Sequence, residues 1–147
     1  MEESLTTVSL IIPIFKSEKY IRALMSRIDI VRIKLKASGI KLLEVICVGD
    51  DPIDDSIKIL LELSNKFNYL EVIQLSSNVG QHLATSAGIV ASKGDWICTL
   101  DEDLQHDPEY IIKLIKHATR KSYDLVYGKS KYKVHNRSVY RDFSSRL

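Results

Sequence analysis

The sequence predicts an α/β fold of the Rossmann-like kind, with a mostly parallel sheet flanked by helices. Short apolar runs alternate along the chain with longer segments whose apolar residues recur every three or four positions. This is the pattern of buried strands and amphipathic helices. A chain of 147 residues, 45% hydrophobic and 27% charged, has the size and composition of one globular domain. Strands that alternate with helices form βαβ units, whose strands lie parallel in one sheet.

The first strand and helix are predicted from an apolar run and the amphipathic segment after it. Val8–Ile12 is expected to form a buried strand that Pro13 ends. Ser17 is the candidate N-cap of a helix that runs to about Ser38, because a serine oxygen accepts hydrogen bonds from the free N–H groups at a helix start. Gly39 is the expected stop of this helix, since glycine readily adopts the left-handed conformation that follows many helices.

Two further strand–helix pairs occupy the middle of the chain. Leu42–Val48 and Leu70–Leu75 are predicted strands, and a helix of small residues is expected over Gly80–Ser92. The helix between these two strands should begin near Asp54 and Asp55, because carboxylates stabilise the free N–H groups of a helix start. We therefore interpret these two acids as structural.

The last predicted elements are two strands with a helix between them. Trp96–Leu100 reads as a buried fourth strand. Asp107 is the candidate N-cap of the next helix, with Pro108 at its first position and its end near Lys121. A short fifth strand is expected over Asp124–Tyr127.

Cysteine use and hydropathy predict a cytosolic domain. Cys47 and Cys98 each lie inside an apolar run, which predicts buried free thiols rather than a disulfide or a metal site. No stretch reaches the roughly 18 apolar residues of a transmembrane helix. The acidic residues near the start lack the basic region of a signal peptide.

Charge is distributed unevenly along the chain. Residues 1–112 carry 11 Lys/Arg against 17 Asp/Glu, whereas residues 113–147 carry 10 against 2. A basic end predicts attraction to phosphates or to an anionic membrane surface, or else a solvated helix face and tail. We expect residues 1–128 to form one domain and residues 129–147 to begin a mobile, membrane-proximal region. Nucleic acid is not among the expected partners.

Acidic side chains follow two of the predicted strands. Asp50 and Asp51 end the second strand, and Asp101 and Asp103 follow the fourth. Ligands of parallel α/β sheets bind beyond the carboxyl ends of the strands. A divalent cation such as Mg²⁺ or Mn²⁺ would relieve the repulsion among these carboxylates, since it prefers oxygen ligands and commonly bridges them to phosphates. The other interpretation of such acids is a loop with a helix cap.

Four segments together resemble family 2 glycosyltransferases, in the order and at the spacing of that family. Residues 9–21, SLIIPIFKSEKYI, are similar to its opening IIPVYN-S/E-E, and residues 44–56, EVICVGDDPIDDS, to EIIVVDDGSTDDS. Residues 78–84, NVGQHLA, and residues 100–109, LDEDLQHDPE, resemble segments of the polyprenyl-phosphate members. The resemblance implies a GT-A fold and transfer of a sugar, with inversion, from a nucleotide diphosphate.

The resemblance also implies site residues. Asp50 would read the nucleotide base, Asp103 would bind the metal, and Asp101 would contact the ribose or the metal. The nucleotide-binding positions carried over are Pro13, Phe15, Ser17, Val48, Asp50, Gly80, Ala84, Asp101, Glu102 and Gln105. A UDP-sugar is the favoured donor, and a lipid phosphate or glycan is the expected acceptor.

The sequence departs from the family pattern at two motifs and in length. Lys16 stands where the family has asparagine, and Gly49–Pro52 replaces D-D-G-S. In this alignment only the second aspartate of the family has a clear counterpart, Asp50. An alignment shifted by one residue would pair both acids but misalign residues 54–56. The family's acceptor-binding half and catalytic base would lie downstream of Leu147. We therefore expect this chain to be the donor half of a longer protein.

The basic C-terminal residues are candidates for the acceptor phosphate or the membrane. They are Lys129, Lys131, Lys133, Arg137 and Arg141. In polyprenyl-phosphate members a basic stretch occupies this region. The full-length protein is accordingly expected in the cytoplasm at the inner face of the membrane.

Three other functions share part of this pattern. A receiver-like regulatory domain also gathers acids at strand ends, but places an acidic pair after its first strand, where this chain has Pro13-Ile14-Phe15. A dinucleotide-binding oxidoreductase would need a G-x-G-x-x-G segment after that strand. A nucleotide-sugar-binding fragment without turnover stays open.

Overall fold

The computed structural model describes residues 5–129, in which four strands alternate with four helices. In chain order they are β1 (Thr6–Ile14), α1 (Ile21–Ala37), β2 (Ile40–Gly49), α2 (Ser56–Ser64), β3 (Leu70–Gln74), α3 (Gln81–Ala91), β4 (Trp96–Thr99) and α4 (Tyr110–Lys121). The strands are all parallel and lie in the order β3-β2-β1-β4. The predicted α/β class is confirmed.

Helices cover the two faces of the sheet unequally. Helices α1, α2 and α4 pack on one face over a large apolar cluster to which β1 contributes Leu10 and Ile12. Helix α3 packs on the opposite face over a much smaller cluster. This small cluster consists of Ile11, Ile46, Val48 and Ala84. Strands β1 and β2 are apolar on both sides because both of their faces are covered.

The sequence predicts that Pro13 ends the first strand, but in the structure Pro13 lies inside that strand. It pairs in register with Val48 of β2, and the strand continues to Ile14. Pairing with β4 on the other side ends at Ile11, whose carbonyl accepts the N–H of Leu100. Backbone polar groups alternate in direction along a strand, so the Pro13 nitrogen points to the same side as the Ile11 carbonyl, toward β4. Pro13 lies beyond the last paired residue of β4, and its missing N–H therefore costs no hydrogen bond of the sheet.

Two of the predicted N-caps are wrong. Tyr20 rather than Ser17 holds the N-cap position of α1, and Ser17 instead offers its carbonyl oxygen to the N–H groups of Tyr20 and Ile21. Glu109 precedes α4, while Asp107 accepts the N–H of Glu109 in a turn before the helix. In both cases a turn comes between the polar residue and the first helical residue, which shifts the helix start by several positions.

The predicted helix ends agree with the structure. Helix α1 stops at Ala37, and Gly39 follows with φ of +74°, the left-handed conformation that glycine adopts without strain. Helix α4 ends at Lys121, and Ser122 is left-handed. Both ends therefore lie where the sequence placed them.

The predicted fifth strand over residues 124–127 is absent from the described part of the chain. Leu125 and Tyr127 are exposed there and make no strand pairing. A short apolar run becomes a strand only when a neighbour accepts its backbone hydrogen bonds. Strand β4 pairs with β1 alone among residues 5–129, and the run does not reach it.

Both cysteines are free thiols, and Cys47 is buried as predicted, whereas Cys98 is only partly buried. Burial raises the pKa of Cys47 to about 12 and that of Cys98 to about 11, which keeps both in the unreactive thiol form. Trp96 packs against the large apolar cluster. None of the helices between residues 5 and 129 combines the length and the apolar character needed to cross a membrane.

Candidate functional site

The strand order locates a crevice at the carboxyl edge of the sheet. The order β3-β2-β1-β4 is that of a doubly wound sheet, in which the direction of winding reverses between the first and fourth strands. Ligands bind at such a switch point, outside the carboxyl ends of the strands. The loops after β1 and β4 therefore flank the predicted site.

The strand order also bears on the alternative of a receiver-like domain. A receiver has its third strand beside the first, whereas β4 lies beside β1 here, so the topology excludes the receiver alternative.

The loop after β2 contains a strained turn that supports the residue assignment made from sequence. Asp51 has φ of +50°, the left-handed region that favours glycine, and it occupies the position of glycine in the family's D-D-G-S turn. A Cβ on Gly49 would come within 2.4 Å of the terminal methyl of Ile57, so that side chain would have to move for an aspartate to fit there. The left-handed backbone of Asp51 favours the alignment in which Asp50 matches the second aspartate.

Asp50 holds the segment that leads into α3. It is only 4% exposed, and its two carboxylate oxygens accept the backbone N–H groups of Val79 at 2.7 Å and Gly80 at 2.9 Å. The Asn78 amide donates to the Asp50 carbonyl at 3.1 Å. The exit of β2 and the start of α3 therefore form one hydrogen-bonded unit, and Asp50 has a role within the fold that the sequence did not predict.

The side chain of Gln81 connects this unit to the loop after β4. Its Nε2 donates to Oδ1 of Asp101 at 2.7 Å, across 20 residues of sequence. Gln81 is the first residue of α3, and both partners are exposed to solvent. Gln81 is not predictable as a site residue from the sequence, although it lies inside the NVGQHLA segment, because nothing local shows that it reaches the loop of Asp101 and Asp103.

The two predicted metal ligands lie on a tight loop. Asp103 accepts the backbone N–H of Gln105 through Oδ1 at 3.0 Å, and Leu104 between them has φ of +59°. Gln105 is exposed beside them. Groups of three or more His, Cys, Asp or Glu side chains arranged to hold a metal ion are absent from residues 5–129. The described chain thus offers a pair of carboxylates and no closed metal cage.

Glu102, between the two aspartates, approaches the loop after β1. Burial raises the pKa of Glu102, and the Ser17 hydroxyl and the backbone N–H groups of Phe15 and Lys16 oppose that rise by favouring the carboxylate. Ser17 Oγ is fully buried, and it makes no hydrogen bond of ordinary geometry within the described residues. The loops after β1 and β4 are therefore in electrostatic contact on either side of the switch point.

Polar contacts also join the loops after β1 and β2. Asp54 accepts the N–H of Glu18 at 3.1 Å, and Glu18 accepts the N–H of Asp55 at 3.2 Å. Asp54 also accepts the N–H and hydroxyl of Ser56, which agrees with its predicted role at a helix start. An open cavity of about 380 Å³ lies beside these contacts, with Lys16, Tyr20 and Ile53 among its lining residues.

The remaining predicted residues divide by burial. Phe15 is exposed at the end of β1 and lies under the ammonium of Lys16, which is 5.4 Å from the ring centroid. Pro13 and Val48 are buried opposite each other in the sheet, and Ala84 is buried on the side of α3 that faces the sheet. Lys129 is exposed. The other candidates for the acceptor phosphate, Lys131, Lys133, Arg137 and Arg141, lie outside the described residues.

Two curated relatives resemble the chain over most of its length. An uncharacterized glycosyltransferase of Synechocystis sp., sll0501, is 33% identical over 121 residues, covering 82% of this chain and 36% of that protein. The undecaprenyl-phosphate 4-deoxy-4-formamido-L-arabinose transferase of Proteus mirabilis is 37% identical over 125 residues, covering 84% and 37%. The chain thus spans little more than a third of the length of these relatives.

Solved structures of S. aureus TarS share the fold. The TarS 1-349 crystal structure superposes with a TM-score of 0.61 at 23% identity, covering 79% of this chain and 33% of TarS. Its complex with UDP superposes with a TM-score of 0.55 at 26% identity, covering 67% and 28%. The sequence of residues 9–145 matches the family described as Glycosyl transferase family 2. With the two relatives above, this match shows that the chain belongs to glycosyl transferase family 2.

Proposed function

We propose that this chain binds a nucleotide-diphosphate sugar, with a UDP-sugar favoured, at the carboxyl edge of its sheet together with Mg²⁺ or Mn²⁺. In the whole protein the sugar would pass with inversion to a polyprenyl-phosphate acceptor. One observation carries the proposal: Asp50 and the segment Asn78–Gly80 that it binds, here called the Asp50 unit, lie next to the Asp101–Asp103 pair at the switch point. Gln81 connects the two through its hydrogen bond to Asp101. The UDP complex of TarS and the undecaprenyl-phosphate relative support the choice of donor and acceptor.

The carboxylate pair suits a hard divalent cation. In each aspartate Oδ1 is engaged, by Gln81 in one case and by the N–H of Gln105 in the other. Among the described residues the Oδ2 atoms of Asp101 and Asp103 accept no hydrogen bond. Two carboxylate oxygens, completed by phosphate oxygens and water, are a usual ligand set for Mg²⁺ in nucleotide sites. Such a cation would neutralise charge that develops on the leaving diphosphate.

The proposed reaction needs a donor held in one orientation. An acceptor phosphate oxygen would attack the anomeric carbon from the side opposite the nucleotide. The new carbon–oxygen bond would form as the bond to the β-phosphate breaks, which inverts the configuration at that carbon. The chain would contribute position: the loops after β1 and β2 would hold the nucleoside, and the loop after β4 would hold the diphosphate.

The basic C-terminal segment is assigned to the acceptor side. We propose that Lys129 begins a region, residues 129–147, that meets the acceptor phosphate or anionic headgroups at the cytoplasmic face of a membrane, beside a donor-binding domain over residues 1–128. The charge asymmetry of the sequence and the lipid-phosphate relative support this assignment. Attraction between basic side chains and an anionic surface supplies the force.

Calorimetry with the 147-residue chain tests donor binding. UDP should bind in the presence of Mn²⁺, and Asp103→Ala should weaken that binding at least about tenfold because it removes a proposed ligand. Asp124→Ala, which removes an exposed carboxylate elsewhere, is the matched control and should bind as the wild type does. Undiminished UDP affinity in EDTA would exclude the metal role, and a preference for GDP would exclude the uridine donor.

A radiolabelled-sugar assay with polyprenyl phosphate tests the acceptor. Transfer by the 147-residue chain would support the full activity. Donor binding without transfer would support the alternative of a nucleotide-sugar-binding fragment.

A further inference from the structure

The start of α3 is held rigidly on the side that faces the sheet. Both oxygens of the buried Asp50 carboxylate accept backbone N–H groups, those of Val79 and Gly80. Hydrogen bonds to an ionised acceptor are shorter and stronger than neutral ones. The two residues before Gln81 are therefore fixed to the end of β2.

The backbone at Gly80 sets the direction in which α3 leaves this anchor. Gly80 has φ of +89° and ψ of +155°, a region open to glycine and strained for other residues. A Cβ placed on Gly80 would meet nothing within 4 Å, so the conformation rather than the space calls for glycine. The turn places Gln81 at the first position of α3, next to the loop that contains Asp101 and Asp103.

Gln81 then makes a contact whose polarity is unambiguous. A carboxylate only accepts hydrogen bonds, so the Gln81 amide must present its NH₂ group to Asp101, and its Nε2 lies 2.7 Å from Oδ1. Both side chains are exposed, and the bond is therefore not needed to satisfy a buried group. It restrains the rotamer of a carboxylate on a loop.

We propose that Gln81 is a positioning residue, which holds Oδ1 of Asp101 so that Oδ2 faces the cation and diphosphate. This inference rests on the proposed function and adds to it a link between the Asp50 unit, at the nucleoside end of the site, and the carboxylate pair at the diphosphate end. Partners of this kind, which orient a metal ligand without touching the metal, typically change metal affinity by about 10-fold to 100-fold when removed.

Gln81→Met is the informative variant, because methionine keeps the length and helix propensity of glutamine but cannot donate a hydrogen bond. It should weaken Mn²⁺-dependent UDP binding about tenfold in calorimetry and leave UDP binding in EDTA and the thermal unfolding midpoint unchanged. Gln74→Met, at an exposed glutamine at the end of β3, is the control and should behave as the wild type does.

A double-mutant cycle separates positioning from direct contact with the ligand. If Gln81 acts through Asp101, Gln81→Met should have no further effect on UDP affinity in an Asp101→Ala background. A tenfold loss that persists in that background would overturn the positioning role, because Gln81 would then touch the ligand itself. Equal affinity of Gln81→Met and the wild type would also overturn it.

A ligand-free measurement keeps this inference distinguishable from the proposed function. In ¹⁵N-labelled protein without UDP, the side-chain amide resonances of Gln81 should shift in Asp101→Ala and not in Asp124→Ala. Unchanged resonances would overturn the Gln81–Asp101 contact. Shifted resonances in a protein without Mn²⁺-dependent UDP binding would overturn the proposed function while the contact stands.

Discussion

A buried carboxylate holds each end of α3, but the two ends differ in the residues that follow. Before the helix, Asp50 accepts the N–H groups of Val79 and Gly80. After the helix, Glu44 accepts the N–H of Lys93 and the hydroxyl of Ser9, each at 2.7 Å. Both carboxylates belong to β2 or its exit, and both are nearly inaccessible, with 4% exposure for Asp50 and 6% for Glu44. Helix α3 is thus tied to the sheet at both ends.

The Glu44 end is closed, whereas the Asp50 end opens onto the candidate site. Ser9 Oγ, which donates to Glu44, also accepts the N–H of Gly94 at 2.9 Å, and the polar groups satisfy one another. At the other end the anchored segment continues into Gln81 and the exposed Asp101. A buried carboxylate with good partners is structural in both places. Only Asp50 also holds a segment that leads to solvent-exposed side chains, those of Gln81 and Asp101.

The small size of the apolar cluster beneath α3 explains why such anchors matter. The apolar cluster under this helix has four fully buried members, far fewer than the cluster on the opposite face. Apolar burial stabilises by about 25 cal/mol per Å², so a small cluster holds a helix weakly. Hydrogen bonds to buried carboxylates at each end offset that weakness and fix the direction of the helix.

The largest effect is expected at the closed end. In Gly94→Ala the new Cβ would come within 2.6 Å of the Ser9 nitrogen and 2.9 Å of the Val8 carbonyl carbon, and backbone atoms cannot easily move away. We expect the free energy of unfolding in urea to fall by about 3 kcal/mol. Gly128→Ala, whose Cβ meets nothing within 4 Å, should change it by less than about 0.5 kcal/mol. Equal effects would contradict the close packing at Gly94.

A smaller effect should separate the two carboxylates. At Asp50 each oxygen accepts one N–H, so Asp50→Asn must set an NH₂ group against a backbone N–H, at a cost of about 2 kcal/mol. At Glu44 one oxygen, Oε1, accepts both partners, and Glu44→Gln can keep them for about 1 kcal/mol or less. UDP affinity should fall in Asp50→Asn and stay unchanged in Glu44→Gln. A larger loss of unfolding free energy in Glu44→Gln than in Asp50→Asn, measured by urea denaturation, would contradict the comparison.

The smallest effect concerns Glu102 and depends on pH. Burial raises the pKa of Glu102, so the folded state binds its proton more tightly than the unfolded state does. The stability that this proton provides is complete below the unfolded pKa and is lost as pH rises through the folded pKa. Glu102→Gln should therefore be more stable than the wild type at pH 7, and the difference should shrink as pH falls toward 4. A difference independent of pH would show that packing rather than ionisation is responsible.

Much of the fold could be predicted from local patterns. The four strands, the alternating helices and the parallel class follow from apolar periodicity, because burial selects the same residue types wherever these elements occur. The ends of α1, before Gly39, and of α4, at Lys121, were also predicted correctly, because a helix end depends on the residues next to it in sequence. Pro13 and the fifth strand were mispredicted, since each depends on which strand lies alongside.

The candidate site was predictable as a set of residue types and not as a set of contacts. Asp50, Asp101 and Asp103 stand out in the sequence because they follow predicted buried strands, whose carboxyl ends meet at one edge of a parallel sheet. The bond between Gln81 and Asp101 joins residues 20 apart, and Asp50 reaches Gly80 across 30. Separations of this size carry no local periodicity that a sequence pattern could reveal.

By itself, the sequence determined the class of fold, its family and the acids at the strand ends, because these depend on residue type and spacing along one chain. The tertiary structure alone decided that Asp50 anchors α3, that Gln81 reaches Asp101 and that Glu102 turns toward the loop after β1. The physical reason is that a hydrogen bond depends on distance and direction within a few tenths of an ångström. The packing of the sheet and helices sets those distances.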